Sequence, residues 1–299
     1  MQTGMSRTTT ILAAILFAAA GAVQAEVRAL DDYGDAVVLA APARRVVSLA
    51  PHLTELMYDA GAGDRMVGAL AYSDYPAAAR RLPRVGSEGA IDLEALVALK
   101  PDLVLAWPDS GSAASVRRIA ALGIPVYRSE PRELEDIART LERLGRLAGT
   151  EAQADRAARA FRERAARIAR DYGTRPTVRV FYEIWNRPLM TVNGNHVISK
   201  VIRLCGGVNV MADLPALAPE IDRELVLRAD PEVILASGAG GRRPAWLDDW
   251  RAYPGLSAVR ADNLFTIRAD LLQRQTPRIL DGAEILCRML QAARAKRGA

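Results

Sequence analysis

Residues 93–107 read LEALVALKPDLVLAW, and the chain repeats the pattern at residues 223–237, which read RELVLRADPEVILAS. Each copy has a glutamate at its second position, a proline in the middle, and then an acid followed by an apolar run. Because proline cannot continue a helix, each copy predicts a short helix, a stop and a strand. The continuous apolarity of that strand indicates that both of its faces are covered. A repeat of this long period predicts two related halves.

Strand-like and helix-like segments alternate on either side of each copy. Further apolar, strand-like runs lie at residues 45–50, 66–70, 126–127, 177–184 and 264–267. This alternation predicts a mostly parallel sheet in each half, with a ligand crevice outside the carboxyl ends of its strands. In the first half, residues 48–52, 72–75 and 107–110 are expected at that edge.

A charged segment rich in alanine and arginine separates the two halves. Apolar residues recur at three- and four-residue spacing within residues 151–172, which is typical of one continuous helix. Such a helix would span about 33 Å, so we expect a rigid connection and modest lobe motion. The predicted fold class is α/β: two α/β lobes with mostly parallel sheets, joined by one long α-helix, with a ligand cleft between the lobes. The predicted segments are a signal peptide (1–25), an N-terminal lobe (26–149), a connecting helix (150–173) and a C-terminal lobe (174–299).

The first segment has the features of a secretory signal peptide. Arg7 is the only charge before the apolar run 11–23, and small residues precede the expected cleavage after Ala25. The run is shorter than the roughly 20 apolar residues of a membrane span, and no later segment approaches that length. No cysteine lies at the cut, so a lipid anchor is not expected. We expect an exported mature chain that begins at Glu26.

Charge and cysteine content narrow the classes of function. The formal net charge of +5 falls to +4 without Arg7, and arginine and glutamate are interleaved along the chain. This mild excess, with few aromatic residues near the basic ones, argues against a nucleic-acid partner. The only cysteines are Cys205 and Cys287. In an oxidising compartment, a single disulfide is favoured over two free buried thiols.

Common catalytic motifs are missing from the sequence, including hydrolase elbows, zinc-binding helices and nucleotide-binding loops. The only histidines are His52 and His196, too few for the usual converging ligands of a zinc site. His52 lies at a strand-to-helix turn, where it could line a ligand site or cap the helix. Paired with Ser48, it could also serve an exported serine hydrolase. A hydrolytic enzyme is therefore the lesser class, and we expect no catalytic residues, no metal site and no cofactor of the protein's own.

Several motifs occur along the chain in a specific order. They are RVVSLAPHLTEL (45–56), YSDYP (72–76), LEALVALKPDLVLAW (93–107), LCGGVNV (204–210), REL (223–225) and DLLQRQTPRI (270–279). In this order they resemble, nearly end to end, the family of periplasmic vitamin B12-binding proteins of ABC importers. The broader class, two lobes joined by a long helix, also serves ferric siderophores and haem. The resemblance implies a periplasmic protein that captures cobalamin and delivers it to an inner-membrane ABC permease.

The resemblance also implies the ligand-binding residues. Tyr72 and Trp107 match positions that line the corrinoid cleft from the first lobe, and Asp270 and Arg274 match polar contacts from the second. A corrinoid is a flat amphipathic disc, which aromatic faces and a few polar groups suit. His52 is a further candidate. Without the resemblance, Trp107 could simply plug its strand end, and Asp270 and Arg274 could be a helix-surface pair.

The sequence departs from the family pattern at two aromatic positions. Glu88 and Ala218 occupy them here. We expect Trp185, in EIWNRP, to replace part of the lost aromatic surface. Haem and ferric siderophores remain alternatives within the class. Haem would need an axial ligand, for which Tyr72, Tyr75 or His52 could serve, and a siderophore would need several arginines in the cleft.

Two further pairs of residues match the family. Glu94 and Glu224 match glutamates that dock onto arginines of the permease, one from each lobe. As isolated acids they would merely favour the N-termini of their helices, by under about 1 kcal/mol each. Their equivalent places in the two copies of the repeat favour docking. Cys205 and Cys287 match the family disulfide.

Overall fold

The computed structural model describes residues 26–87, 89–107, 113–238 and 242–298. The predicted signal peptide, Glu88 and the predicted edge residues beyond Trp107 lie outside these ranges. Within the described residues the chain forms two α/β lobes, each built around a four-stranded sheet.

The N-terminal lobe alternates short strands with helices. Its strands are β1 (Val27–Leu30), β2 (Ala36–Leu39), β3 (Val46–Ser48), β4 (Met66–Ala69), β5 (Gly86–Ser87), β6 (Ala90–Ile91), β7 (Leu103–Ala106) and β8 (Val126–Arg128). Its helices are α1 (Pro51–Asp59), α2 (Leu93–Ala98), α3 (Ala113–Ala121) and α4 (Leu134–Ala148). Antiparallel hairpins β1–β2 and β5–β6 lie outside the main sheet.

Helix α5 (Glu151–Tyr172) leads into the C-terminal lobe. The strands of that lobe are β9 (Val178–Glu183), β10 (Trp185–Asn186), β11 (Leu189–Met190), β12 (Gly207–Asn209), β13 (Val233–Gly238) and β14 (Leu264–Arg268). Its helices are α6 (Val197–Leu204), α7 (Arg223–Ala229), α8 (Ser257–Arg260) and α9 (Ile279–Ala295). An antiparallel hairpin, β10–β11, follows β9 directly.

The two main sheets have the same strand order. It is β4-β3-β7-β8 in the first lobe and β12-β9-β13-β14 in the second, and every pairing is parallel. In both, the first strand along the chain lies between the second and the third, and the fourth is at the edge. This shared order confirms the predicted fold class of two parallel-sheet α/β lobes.

The sequence repeat is also a structural repeat. Helices α2 and α7 occupy corresponding places, and each ends just before its proline. Lys100 and Asp230, the residues that precede these prolines, both have positive φ angles, 46° and 36°. A left-handed residue followed by proline stops a helix because neither continues the helical hydrogen-bond pattern.

The acid that follows each proline bonds to the neighbouring strand. Asp102 Oδ1 accepts a hydrogen bond of 2.9 Å from the backbone N–H of Arg45, and Glu232 Oε2 accepts one of 2.9 Å from that of Arg179. Each of these arginines donates in turn to a backbone carbonyl at the end of the short helix. The two copies therefore attach helix, strand and neighbouring strand in the same way.

Helix α5 packs against both lobes. It has 22 residues and contacts α1 and α4 on one side of the molecule and α6 and α9 on the other. Its buried stripe, including Ala154, Phe161 and Ile168, belongs to one apolar cluster that also contains Leu53 of the first lobe and Leu286 of the second. The helix is therefore part of a shared core, which favours a fixed arrangement of the lobes.

Cys205 and Cys287 form a disulfide, with Cα atoms 4.7 Å apart. The bond joins the end of α6 to α9 and closes a loop of 82 residues, and it confirms the disulfide that the sequence favoured.

Among the described helices, none is both long and apolar enough to cross a membrane.

Candidate functional site

A cavity of about 610 Å³ lies between the lobes, at the carboxyl ends of the strands. The first lobe lines it with residues that follow β3, β4 and β7, and the second with residues at and after the end of β14. The lining residues are Leu49, Ala50, Pro51, His52, Leu70, Ala71, Tyr72, Asp74, Trp107, Arg268, Ala269, Asp270, Gln273 and Arg274. The cavity thus lies at the edge where open parallel sheets bind ligands.

Two aromatic side chains, Tyr72 and Trp107, belong to the first-lobe wall of the cavity. Tyr72 is 77% exposed and has a φ of 64°, in the left-handed region that non-glycine residues rarely adopt. Its carbonyl accepts a hydrogen bond of 3.1 Å from Arg274 Nη2, which helps to hold this turn. Trp107 directly follows β7 and meets the His52 ring edge-on, with ring centroids 5.5 Å apart. Strained turns that present a side chain in this way are typical of binding sites.

His52 lies behind the aromatic wall and is only 3% exposed. Burial, assisted by the positive charge of Arg274, lowers its pKa to about 3, so the imidazole is neutral at pH 7. Its Nε2 has no hydrogen-bond partner among the described residues. Ser48 Oγ donates instead to the Ala50 carbonyl at 2.8 Å. Since no described hydrogen bond joins Ser48 to His52, the arrangement lacks the geometry of a nucleophile activated by a base.

A buried carboxylate joins the two lobes beside the cavity. Glu55 of α1 is 1% exposed and accepts hydrogen bonds from Arg274 Nη1 at 2.7 Å, Arg278 Nη1 at 3.2 Å and Thr276 Oγ1 at 3.1 Å. All three donors belong to the second lobe. The Arg278 guanidinium also lies 3.9 Å from the centroid of the Tyr75 ring, in a cation–π contact across the same interface.

The ion pairs continue from Glu55 to the cavity rim. Arg274 also binds Asp74 of the first lobe at 2.7 Å, and Asp270 accepts from Arg278 at 2.8 Å and from Arg268 at 2.6 Å. Burial alone would raise the pKa of Asp270, but the bonds from Arg268 and Arg278 outweigh it and hold the pKa below its ordinary value. The network contains equal numbers of positive and negative groups: Arg268, Arg274, Arg278, Glu55, Asp74 and Asp270.

The structure brings most of the predicted ligand-binding residues to this one cavity: Tyr72, Trp107, His52, Asp270 and Arg274. Asp74, within the segment 72–75 expected at this edge, also lines the cavity. The structure adds residues that the sequence did not point to, namely Glu55, Arg268, Gln273 and Arg278. Glu55 offered a signal, because an acid within the apolar helix PHLTELM requires a buried partner. The partners themselves lie more than two hundred residues away, and no local pattern identifies them.

Trp185 is not on the described wall of this cavity. It lies in the β10–β11 hairpin, is 55% exposed, and donates its indole N–H to the Arg187 carbonyl at 2.8 Å. The hairpin begins almost immediately after β9. The expected contribution of Trp185 to the aromatic surface around a ligand stays a prediction. Ala218, the other departure from the family pattern, is exposed.

Glu94 and Glu224 are exposed in the first turns of α2 and α7. Neither carboxylate makes an ion pair with another residue of the described chain. The two side chains occupy equivalent positions in the structural repeat, one on each lobe.

Across the described ranges, no group of three or more His, Cys, Asp or Glu side chains converges as a metal site would require.

Comparisons with known proteins agree with this architecture. The profile of the periplasmic binding protein family matches residues 46–271. The vitamin B12-binding protein of Vibrio cholerae serotype O1 is 38% identical over 256 residues, which cover 84% of this chain and 91% of that protein.

Two solved structures share the fold. The periplasmic vitamin B12 binding protein of Vibrio cholerae superposes with a TM-score of 0.78 at 37% identity, covering 85% of this chain and 98% of that one. The periplasmic haem-binding protein of Roseiflexus sp. RS-1, in its apo form, superposes with a TM-score of 0.72 at 24% identity, covering 84% and 99%. The second likeness concerns the fold alone.

Proposed function

Because the chain belongs to the periplasmic binding protein family, we propose that it captures cobalamin, or a closely related corrinoid, between its lobes and delivers it to an inner-membrane ABC permease. The observation that carries this proposal is the interlobe cavity of about 610 Å³, with Tyr72 and Trp107 on one wall and charged groups on the other. The vitamin B12-binding relative, aligned over 84% of this chain, supports the choice of ligand.

The walls of the cavity suit a flat amphipathic disc. Aromatic faces bind the apolar surface of a macrocycle, and polar groups at the rim bind its side chains. The cavity is open to solvent and within the usual range for small-molecule sites, about 300–1,000 Å³. Part of a large ligand would remain exposed, as delivery to a second protein requires.

The charge balance of the second wall favours a corrinoid over haem. Each cavity-lining arginine, Arg268 and Arg274, is already paired with a carboxylate. A corrinoid presents mainly neutral amides, which pair with such a wall without leaving a charge unmatched. Haem, with two propionates, or a ferric siderophore with several anionic groups would instead need more than one cavity arginine with uncommitted donors.

Haem is the second candidate, and one observation favours it. Tyr72 is 77% exposed on the cavity wall, and a tyrosine is one of the residues that can ligate haem iron. Buried His52 is a weaker candidate for an axial ligand, since its Nε2 is not accessible.

The proposed role is non-enzymatic, and the proposed location is the periplasm, reached through cleavage of the predicted signal peptide. Relatives named as binding proteins support the first part, and Ser48 bonded to a backbone carbonyl gives no support to a hydrolase. Exposed Glu94 and Glu224 would orient the protein on a basic permease surface, where matched charges give specificity and a fast on-rate.

The test is a competitive titration of the purified mature protein with cyanocobalamin, haemin and a panel of ferric siderophores. Tryptophan fluorescence and calorimetry report binding. We expect cyanocobalamin to saturate the protein below about 1 μM, that is, about −8 kcal/mol or tighter. Trp107→Ala should weaken binding, whereas Trp246→Ala, a half-buried tryptophan outside the cavity, should not. Saturation by haemin alone would replace cobalamin with the second candidate.

A further inference from the structure

Arg274, which sequence resemblance assigns to the ligand, is engaged by the first lobe. Its Nη1 binds Glu55 Oε1 and Asp74 Oδ1, each at 2.7 Å, and its Nη2 binds the Tyr72 carbonyl at 3.1 Å. The side chain is only 16% exposed. A guanidinium surrounded by three acceptors of the opposite lobe serves to hold the lobes together, and little of it remains for a ligand.

Arg268 is the arginine that remains available on the same wall. It ends β14, lines the cavity, and its side chain is 54% exposed. Its Nε and Nη2 bind Asp270 Oδ1 and Oδ2 at 3.0 and 2.6 Å. Its Nη1 makes no hydrogen bond to any residue that the structure describes. This bidentate contact with one carboxylate holds the guanidinium in a defined orientation and leaves Nη1 as a donor for a ligand.

The carboxylate that orients Arg268 is shared. Asp270 Oδ2 also accepts a hydrogen bond of 2.8 Å from Nη2 of Arg278, which is not among the residues lining the cavity. One carboxylate thus serves two guanidinium groups, and the more exposed of the two, Arg268, keeps its Nη1 donor uncommitted among the described residues. An anionic oxygen group is the ligand feature that matches such a donor.

We propose that Arg268 binds an anionic oxygen group on the edge of the macrocycle. Resting on the proposed function, that group is the phosphodiester that links the nucleotide to the corrin ring of cobalamin. Hydrogen bonds between charged partners are about twice as strong as neutral ones, so this contact distinguishes complete cobalamin from corrinoids that lack the nucleotide. Asp270 is a positioning residue for Arg268 rather than a direct contact of the phosphodiester.

The test compares two ligands that differ in this group. Cyanocobalamin carries the phosphodiester and dicyanocobinamide lacks it, and calorimetry measures the dissociation constant of each. We expect Arg268→Gln to weaken cyanocobalamin binding by about 10- to 100-fold, the range for a lost charged hydrogen bond. Binding of dicyanocobinamide should change less than about twofold, and Arg268→Lys should restore part of the affinity for cyanocobalamin.

The matched control is Arg251→Gln. Arg251 is similarly exposed and forms ion pairs with Asp248 and Asp262 outside the cavity, so its loss should leave both dissociation constants unchanged. An equal loss for the two corrinoids in Arg268→Gln, or no loss for either, would overturn the assignment. Wild-type protein that binds haemin but neither corrinoid would overturn the proposed function as well, and this outcome appears before any variant is made.

Discussion

Glu55 and Arg274 form an ion pair of 2.7 Å between the two lobes, although 219 positions separate them in the chain. Glu55 is 1% exposed, and its second oxygen is held by Thr276 of the same opposite lobe. Helix α1 therefore carries His52 behind the aromatic wall and, one turn later, Glu55 against the charged wall. A single helical turn positions groups on both sides of the cavity.

Replacing Glu55 by alanine should lower the free energy of unfolding by about 3–5 kcal/mol. The reason is that Arg274 and Arg278, which are largely buried, would lose their shared carboxylate and keep only their more exposed partners, Asp74 and Asp270, and removing one member of a buried ion pair is costly. Chemical denaturation followed by circular dichroism measures the change. Asp74→Asn is the matched control, because Asp74 also pairs with Arg274 but its side chain is 56% exposed, so its loss should cost at most about 1 kcal/mol. Similar losses for the two variants would contradict the structural role of Glu55.

His52→Phe should make the protein more stable in acid. The native pKa of His52, about 3, lies below the ordinary 6.5, so the unfolded chain takes up a proton as the pH falls between these values. Wild-type stability is therefore lost progressively below pH 6.5, and the variant lacks this loss. We therefore compare the free energy of unfolding of the variant with that of wild type at pH 7 and at pH 4. Between these two pH values the difference should shift in favour of the variant by about 3 kcal/mol. Urea denaturation at several pH values measures it.

Substitutions of His52 also test whether its ring holds Trp107 in place through their edge-on contact. Phenylalanine preserves the edge-on aromatic contact, whereas His52→Ala removes it, so only the alanine variant should weaken ligand binding. If His52 instead ligates the bound macrocycle, the phenylalanine variant should lose affinity as well. Calorimetry and the absorption spectrum of the bound ligand separate the two cases.

Glu183→Gln should stabilise the protein at alkaline pH. Glu183 is 1% exposed, accepts a hydrogen bond of 2.7 Å from Trp250 Nε1, and burial raises its pKa to about 7 from 4.5. The native state then holds the proton more tightly than the unfolded chain, so stability is full below pH 4.5 and falls as the pH rises through 7. We expect the variant to gain up to about 3 kcal/mol at pH 8 and almost nothing at pH 4.5.

Thermal denaturation of the variant and of wild type at pH 4.5 and pH 8 tests this expectation. The unfolding enthalpy converts the shift in melting temperature into a change in the free energy of unfolding. Glu220→Gln serves as the comparison, because Glu220 is exposed. This substitution should change the stability by the same small amount at pH 4.5 and at pH 8. A variant of Glu183 that is equally affected at pH 4.5 and pH 8 would show that the carboxyl is not the titrating group.

The double variant Glu94→Arg with Glu224→Arg should bind ligand normally but fail in uptake. Both side chains are exposed and neither lines the cavity, whereas like charges against a basic permease surface would prevent docking. Uptake of labelled cobalamin by cells that lack their own binding protein, with the matching permease present, is the measurement. Glu163→Arg, an exposed change on α5, should transport normally. Normal uptake by the double variant would remove the docking assignment.

Local patterns allowed much of the fold to be predicted. The repeated helix, proline and strand at residues 93–107 and 223–237 predicted two related α/β lobes, and the structure confirms this in the shared strand order of the two sheets. The spacing of apolar residues predicted α5. Periodicity and proline act over a few neighbouring residues, so a linear sequence contains them in full. The crevice at the strand ends followed from the same information.

The sequence alone therefore determined the α/β class and the edge on which Tyr72 and Trp107 lie, because backbone preference and apolar periodicity are local properties. Only the tertiary structure decided which charges meet: that Arg274 holds the lobes together through Glu55, and that Nη1 of Arg268 lies at the cavity rim with no partner among the described residues. Those contacts depend on how two lobes are oriented by a shared core, and partners up to 219 positions apart leave no periodic signal in the chain.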